Sequence, residues 1–311
     1  MNRSRLSPLD ILGITLGVIV ILVTLGSIVT IARSRMAGPP GTFLGLRGPG
    51  NGGWRGPWEP WQGDGLGPAV REEKDETVPA GATEIEVRNV AGSIDIREDS
   101  AVSGIRLHSV KTAPFRRAMD NLSVDIRKEG NRLIVEEKHG PGFLSRTGTV
   151  SFQVVVPRGM KLIEAHSVSG GISVQGIEAA VDQSLSTISG GITTERAGDL
   201  DASSTSGSIH FRAGGTAVNV RTVSGSIDGD VDSLAPGGSA HFGSVSGSIS
   251  VEAFSGLDAE VSLHSLSGHV SCDFPLVVSE QKNNRLTGRI GKGSATLEAG
   301  TVSGSISISK M

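Results

Sequence analysis

Thr222-Val223-Ser224-Gly225-Ser226-Ile227-Asp228 decides the reading of this chain, because the second half of the sequence repeats it with little change. The same phrase surrounds Gly170, Gly190, Gly207, Gly247, Gly268 and Gly304, and a degenerate copy, Val90-Ala91-Gly92-Ser93-Ile94, precedes them. Self-similarity at a period of about 20 residues marks a solenoid, in which one coil buries its apolar face only when the next stacks on it.

Counting each Gly as zero, position −2 holds Val168, Ile188, Thr205, Val223, Val245, Leu266 and Val302. Position +2 holds Ile172, Ile192, Ile209, Ile227, Ile249, Val270 and Ile306. Position +4 adds Val174, Thr194, Phe211, Gly229, Val251, Cys272 and Ile308. Alternation of period two predicts that −2, 0, +2 and +4 face inward along one strand. An inward Gly marks a bend in the wall where another backbone comes close. A second apolar pair lies at −7 and −5, for example Val218 and Val220, or Val261 and Leu263. Its parity is odd, and a one-residue shift flips every side chain, so the pattern predicts a corner at −4 and −3. The fold expected is all-β: a single-stranded β-helix of about 20-residue coils.

The chain has 311 residues and a formal net charge of −3, which gives no basic footprint for nucleic acid. A single cysteine excludes an intrachain disulfide, and Cys272, in the inward +4 column, reads as a small buried hydrophobe. Ile11 to Ile31 is an uncharged apolar run of 21 residues. As a helix it spans about 30 Å, the thickness of a bilayer core. A cleaved signal peptide is the rival, but Arg33 and Arg35 stand where small cleavage-site residues belong. Arg3 and Arg5 balance that pair, and the short head before a long domain predicts the amino terminus inside and the repeats outside the cytoplasm.

The organisation expected is a short head (1–10), a transmembrane helix (11–32), a Gly/Pro/Trp-rich tether (33–80), a β region with the first coil and a hairpin (81–160), and the Ser-Gly solenoid (161–311). Trp54, Trp58 and Trp61 in the tether could rest at the headgroup interface, stack on a sugar or be incidental to a spacer. The charged run from Arg71 to Glu76 is expected only to solvate the start of the folded domain. Strands are predicted over 105–110, 122–127, 133–136 and 150–156, with a turn at Glu129-Gly130-Asn131 and a short helix from Pro114 to Asp120. This region covers one end of the solenoid. Residues 273–286 form a loop or an extra strand, and Ile306 to Lys310 is expected to be a terminal edge.

The phrase Thr/Ser-Val-Ser-Gly-x-Ile resembles the bacterial putative-adhesin family of β-strand-repeat domains of unknown function, itself similar to adhesin-head GIN domains. Phe152-Gln153-Val154-Val155-Val156-Pro157-Arg158-Gly159 and the closing Gly288-Arg289-Ile290-Gly291-Lys292-Gly293 share the resemblance, which covers Thr83 to Lys310. It implies a β-solenoid, commonly on a membrane-anchored or exported bacterial protein, with no established enzymatic activity, and carries over no catalytic residue.

Site chemistry is sparse. Asp228, Asp230 and Asp232 form the densest acidic group, which reads as a solvated turn ahead of weak Ca2+ binding or catalysis. His166 and His264 share position −4 but lie five phrases apart in sequence, roughly 24 Å at about 4.8 Å per coil, so they hold no common metal. Ser203, Ser204, Ser206 and Ser208 have no base at a repeating position and read as hydroxyls that bond between rungs. No cofactor, metal or catalytic residue is expected. The candidate surface is the outward stripe at −1: Ser169, Ser189, Ser206, Ser224, Ser246, Ser267 and Ser303. The function expected is non-enzymatic binding or adhesion to glycan, wall polymer or an envelope protein, with self-association through the solenoid ends. The alternatives are a structural or signalling accessory of the envelope and, more distantly, a polysaccharide-active enzyme.

Overall fold

The computed structural model describes residues 69–79, 81–140, 147–177 and 181–311. The expected membrane span, the tether tryptophans and the head lie outside them, and among the described residues no helix is long and apolar enough to cross a membrane. In chain order come β1 (Val70–Val78), β2 (Glu84–Ala91), β3 (Ile94–Glu98), β4 (Ile105–Ala113), a one-turn helix α1 (Arg116–Asp120), β5 (Leu122–Glu129), β6 (Arg132–His139) and β7 (Thr149–Val156). The repeats follow as β8 (Leu162–Ser169), β9 (Ile172–Gln175), β10 (Asp182–Ser189), β11 (Ile192–Ala197), β12 (Leu200–Ser206), β13 (Ile209–Ser224), β14 (Ile227–Ser246) and β15 (Ile249–Ala253). The chain closes with β16 (Ala259–Ser267), β17 (Val270–Cys272), β18 (Val277–Lys282), β19 (Arg285–Ile290), β20 (Ala295–Ser303) and β21 (Ile306–Lys310). All belong to one sheet except α1.

Each coil consists of a strand before its Gly and a strand after it, stacked in parallel and in register on the equivalent strands of its neighbours, as in Ile163↔Gln183 and Ile172↔Ile192. The repeat thus gives the solenoid its period. The corner is not where the alternating pattern placed it. Ile163, Ala165 and Ser167 are all buried, so the inward parity runs unbroken through −7, −5 and −3 and changes only at the Gly. Position −2 therefore faces out: Val90 is 40% and Leu266 62% exposed. The sequence misleads here because a buried Ser or Thr stands at −3 while an apolar side chain stands outside at −2.

The −3 column is a hydrogen-bond ladder. Thr187, Ser204, Thr222, Ser244, Thr301 and Ser265 are buried, and each hydroxyl donates to the Gly carbonyl of the preceding coil in the stack at 2.9–3.3 Å. The corner glycine is obligatory at this approach. A Cβ on Gly225 would lie 2.2 Å from the Gly207 carbonyl oxygen, on a backbone with φ of +157°.

Inside, +2 and +4 face −7 and −5 across a narrow core. Gly229 at +4 vacates room for the Phe211 ring of the preceding coil, which stacks on Phe242 with centroids 5.6 Å apart. One rung is polar: Thr194 donates to Gln183 Oε1 at 2.7 Å, and Gln183 donates to the Arg196 carbonyl. Cys272 is half-buried, and burial pushes its thiol up.

The first coil, β2 and β3, lies between the repeats and the N-terminal β region. β6 pairs with β2 and β7 with β3; β5 then pairs with β6, β4 with β7, and β1 with β4. The charged run expected only to solvate is thus the edge strand β1, inside the segment read as tether. Its charges deter further pairing at the edge, and Glu72 meets Lys111 of β4 at 2.9 Å across the pair, so a sequence so polar can form a strand. The hairpin turn at Gly130 (φ +61°) and the short helix occur as expected.

The C-terminal end departs from chain order. β14 pairs with β20, and β20 pairs with β16; β21 likewise sits between β15 and β17. The last coil is inserted between the two before it. Ile306 to Ile308 is consequently an interior rung, and the expected edge is confined to Ser309 and Lys310, which pair with β15 alone. The segment expected as a loop or an extra strand begins an antiparallel hairpin, β18 and β19, that runs on to Ile290 and covers β16.

Candidate functional site

The seven serines at −1 are brought into one line by strand register: Ser169↔Ser189, Ser189↔Ser206, Ser206↔Ser224, Ser224↔Ser246, Ser246↔Ser303 and Ser303↔Ser267. All are exposed. Their backbones belong to the ladder, since Ser189, Ser206, Ser224 and Ser246 each accept the N–H of a corner glycine. Their side-chain hydroxyls have no hydrogen-bond partner among the described residues. Beside them runs the half-exposed −2 column of Val168, Ile188, Val223, Val245 and Val302. The corner of the solenoid is therefore a ridge that repeats an exposed hydroxyl at each rung, about 4.8 Å apart, with an aliphatic side chain beside it at every rung but that of Ser206, where Thr205 stands. It offers hydrogen bonds and apolar contact to an extended ligand, and it contains no ionisable group able to move a proton.

The other candidates separate. The acidic group is not in a turn: Asp228, Asp230 and Asp232 lie along β14, paired on both sides with neighbouring coils, where Arg212 engages Asp232 at 2.8 Å and His210 stands 3.8 Å from Asp228. His166 and His264 are six rungs apart, roughly 29 Å, one more than sequence order implies because the last coil intervenes. Of the four clustered serines, Ser204 belongs to the ladder, Ser206 to the ridge, and Ser208 lies 3.4 Å from the Ser226 N–H.

The structure also assembles a polar cluster outside the phrase itself. Glu86 and Glu164 occupy position −6 of adjacent coils and face each other directly across parallel strands. Such a like-charged pair is unfavourable unless a cation intervenes. Arg132 on β6 supplies it, 2.7 Å from Glu164, 3.5 Å from Glu86 and 3.1 Å from Glu84, while Arg88 bonds the other Glu86 oxygen. His166 joins them and meets Ser186 Oγ at 2.7 Å. Burial pushes its imidazole below the usual range, against the pull of Glu86 and Glu164. Ligand atoms of Glu86, Glu164 and His166 lie within 4.8 Å of one another, but guanidiniums already occupy both carboxylates. A shallow depression of about 450 Å³ adjoins the cluster, lined by Glu84, Glu86, Arg88, Arg127, Arg132 and Ile134. The shared −6 column was the signal that could have found it.

Solved structures with a similar course of chain include a putative cell adhesion protein from Clostridium sporogenes, at 11% identity and a TM-score of 0.36 over 78% of this chain and 100% of that one. A putative adhesin from Bacteroides fragilis matches at 12% identity and a TM-score of 0.36, over 77% of this chain and 97% of that one. One from Parabacteroides distasonis matches at 6% and 0.31, over 77% and 97%. No functionally curated protein matches. The Toastrack DUF4097 family model matches residues 77–309, from the end of β1 to the last strand, and the chain belongs to that family.

Proposed function

We propose that the protein is a non-enzymatic, membrane-anchored β-solenoid that presents its corner ridge outside the cytoplasm and binds an extended, largely uncharged polymer or an envelope protein there. The carrying observation is the line of seven exposed serine hydroxyls without internal partners, set beside an aliphatic column. Hydroxyls beside aliphatic carbon suit a glycan, whose rings offer both C–H faces and hydroxyl edges. The anchor is the apolar segment 11–31. A catalytic reading would have to rest on Glu86 and Glu164, whose carboxylates are engaged by Arg88 and Arg132.

Binding spread along a ridge tolerates the loss of any one ionisable residue. Asp228→Asn, His264→Ala and Cys272→Ala are expected to leave binding to cell-wall material intact. Bulky charges at three exposed positions, Ser189→Glu, Ser224→Glu and Ser246→Glu together, are expected to abolish it without emptying the core. The assay is a pull-down on insoluble wall glycan with folding checked by circular dichroism. A single substitution that abolishes binding while the triple variant retains it would overturn the proposal. Protease added to intact spheroplasts, cutting ahead of β1 and releasing a β fragment, tests the orientation.

A further inference from the structure

The position of the last coil makes it an insert with two bound faces. On one face β20 and β21 pair with β14 and β15, as in Phe242↔Ala299 and Ile249↔Ile306; on the other they pair with β16 and β17, as in Leu263↔Ala299 and Val270↔Ile306. Both faces recognise the same features. Thr301 donates to the Gly247 carbonyl and Ser265 to the Gly304 carbonyl. A Cβ at Gly304 would sit 2.2 Å from the Gly247 oxygen, and one at Gly268 would sit 2.0 Å from the Gly304 oxygen. The slot accepts a segment only if it carries Ser or Thr at −3, Gly at 0 and aliphatics at +2 and +4.

The two walls also match each other. Were the insert withdrawn, β16 and β17 carry Ser265, Gly268 and Val270 in the places where β20 and β21 present Thr301, Gly304 and Ile306 to β14 and β15. The emptied stack can therefore close by one rung with its ladder in register, and its edges need not stay unpaired. This alternative packing makes the last coil separable, because an interior strand normally leaves two unsatisfied edges behind. Its covalent link is the turn Gly291-Lys292-Gly293, with φ of +63° and +75° at the glycines, fastened by Asp258 Oδ1, which accepts the Gly293 N–H at 2.6 Å.

We infer that the slot between β14–β15 and β16–β17 is a strand-acceptor site and that the ligand it takes in trans is the C-terminal coil of a second copy of this chain. Exchange of identical elements preserves every native contact, so it links copies at little cost in stability. Main-chain pairing supplies the affinity, and the Gly and Ser/Thr positions supply the selectivity.

The test uses the full chain with a protease site placed between Lys292 and Gly293. After cleavage, a fluorescein-labelled peptide of residues 294–311 is added and its incorporation is followed by native gel and anisotropy. The expected result is replacement of the cut coil by the labelled one, with at least 100-fold weaker incorporation of the peptide bearing Gly304→Ala. In parallel, uncut chains with two different tags are incubated together. Mixed complexes should form and should be lost when excess unlabelled peptide 294–311 is present. Failure of the labelled peptide to enter a still-folded cut chain, or equal incorporation of the Gly304→Ala peptide, overturns the inference. If cleavage unfolds the chain, the tagged-chain arm decides: mixed complexes that free peptide dissolves support exchange, and their absence, or their indifference to the peptide, rejects it.

Discussion

Thr222→Val isolates the hydroxyl ladder from everything else in the coil. The side chain is 1% exposed and its hydroxyl donates to the Gly207 carbonyl at 3.1 Å. Valine has nearly the same shape, so the change opens no cavity and removes only the donor. A typical hydrogen bond contributes about 0.5–1.5 kcal/mol net, but a packed carbonyl that loses its partner costs about 1–3 kcal/mol. The carbonyl cannot turn to water, because the corner of the next coil lies against it: the Cβ position of Gly225 is 2.2 Å away. The expected loss is therefore about 1–3 kcal/mol, whereas Ser224→Ala, two residues on and exposed, should change stability by less than roughly 0.5 kcal/mol. Thr222→Ser keeps the donor and gives up one methyl, about 0.8 kcal/mol. The measurement is urea unfolding by circular dichroism, with wild type and the three variants compared at one pH. Thr222→Val as stable as wild type would falsify the ladder as a source of stability, and the buried −3 column would then need another explanation.

Ile227→Ala, at a fully buried +2 position, should lose about 2–5 kcal/mol in the same assay while exposed Ser226→Ala stays within roughly 0.5 kcal/mol. Equal losses would refute the assigned faces. Leu266→Asp should also stay within roughly 0.5 kcal/mol, since that side chain is 62% exposed; a core-sized penalty would restore the inward −2 column. His166 sets a pH dependence whose sign is fixed by its lowered pKa. The unfolded chain takes up the proton near pH 6.5 and the folded chain only lower, so its contribution is complete above that value and is lost as pH falls toward the folded pKa. His166→Ser, the residue that the next coil has at this position, should flatten the fall in urea midpoint between pH 7.5 and 5.5; an unchanged slope would assign that fall to other groups.

Much of the solenoid was legible because the repeat itself enforces it. The −7, −5, +2 and +4 columns are apolar in nearly every coil, and Gly at zero is invariant within the chain, as the 1.9–2.2 Å approaches to a neighbouring carbonyl require. Hydrophobicity alone could not choose the face of −2. Val223 is apolar and turns outward, while Thr222 is polar and turns inward to a carbonyl, so period two placed −2 on the wrong side and a corner at −3 where the strand runs on. Chain order could not predict spatial order for a related reason. Ser-Val-Ser-Gly-Ser-Ile pairs equally well with any other copy, and the sequence contains nothing that forbids Thr301 from meeting Gly247. Of the site, the serine line was readable from periodicity, whereas the Arg132 cluster depends on β6 arriving beside β2 from outside the repeat.

How the two ends stop bears on where further copies can attach. At the N-terminal end, side chains replace the missing rung. Glu137 Oε2 accepts the N–H groups of Val90 and Ala91, and Asn89 donates to the Gly92 carbonyl that a ladder hydroxyl would otherwise reach. That substitution leaves Ser167, the hydroxyl next in line, without a partner, so the ladder begins one coil later than the stack. At the other end the hairpin turn imitates a corner: the Asn284 carbonyl accepts the Ser265 N–H and the Asn283 carbonyl accepts the Val270 N–H. Among the described residues the edges left at this end are β18, which Glu280 and Lys282 charge, and the three-residue β17 beyond Val270. Groups that would template another coil are thus satisfied from within, while charged β1 and β5 edge the N-terminal region. End-to-end growth, the association expected from the repeat alone, has little unsatisfied backbone to drive it. The interior slot retains full complementarity to a coil, and attachment of a second copy is favoured there, where the matching phrase is already bound.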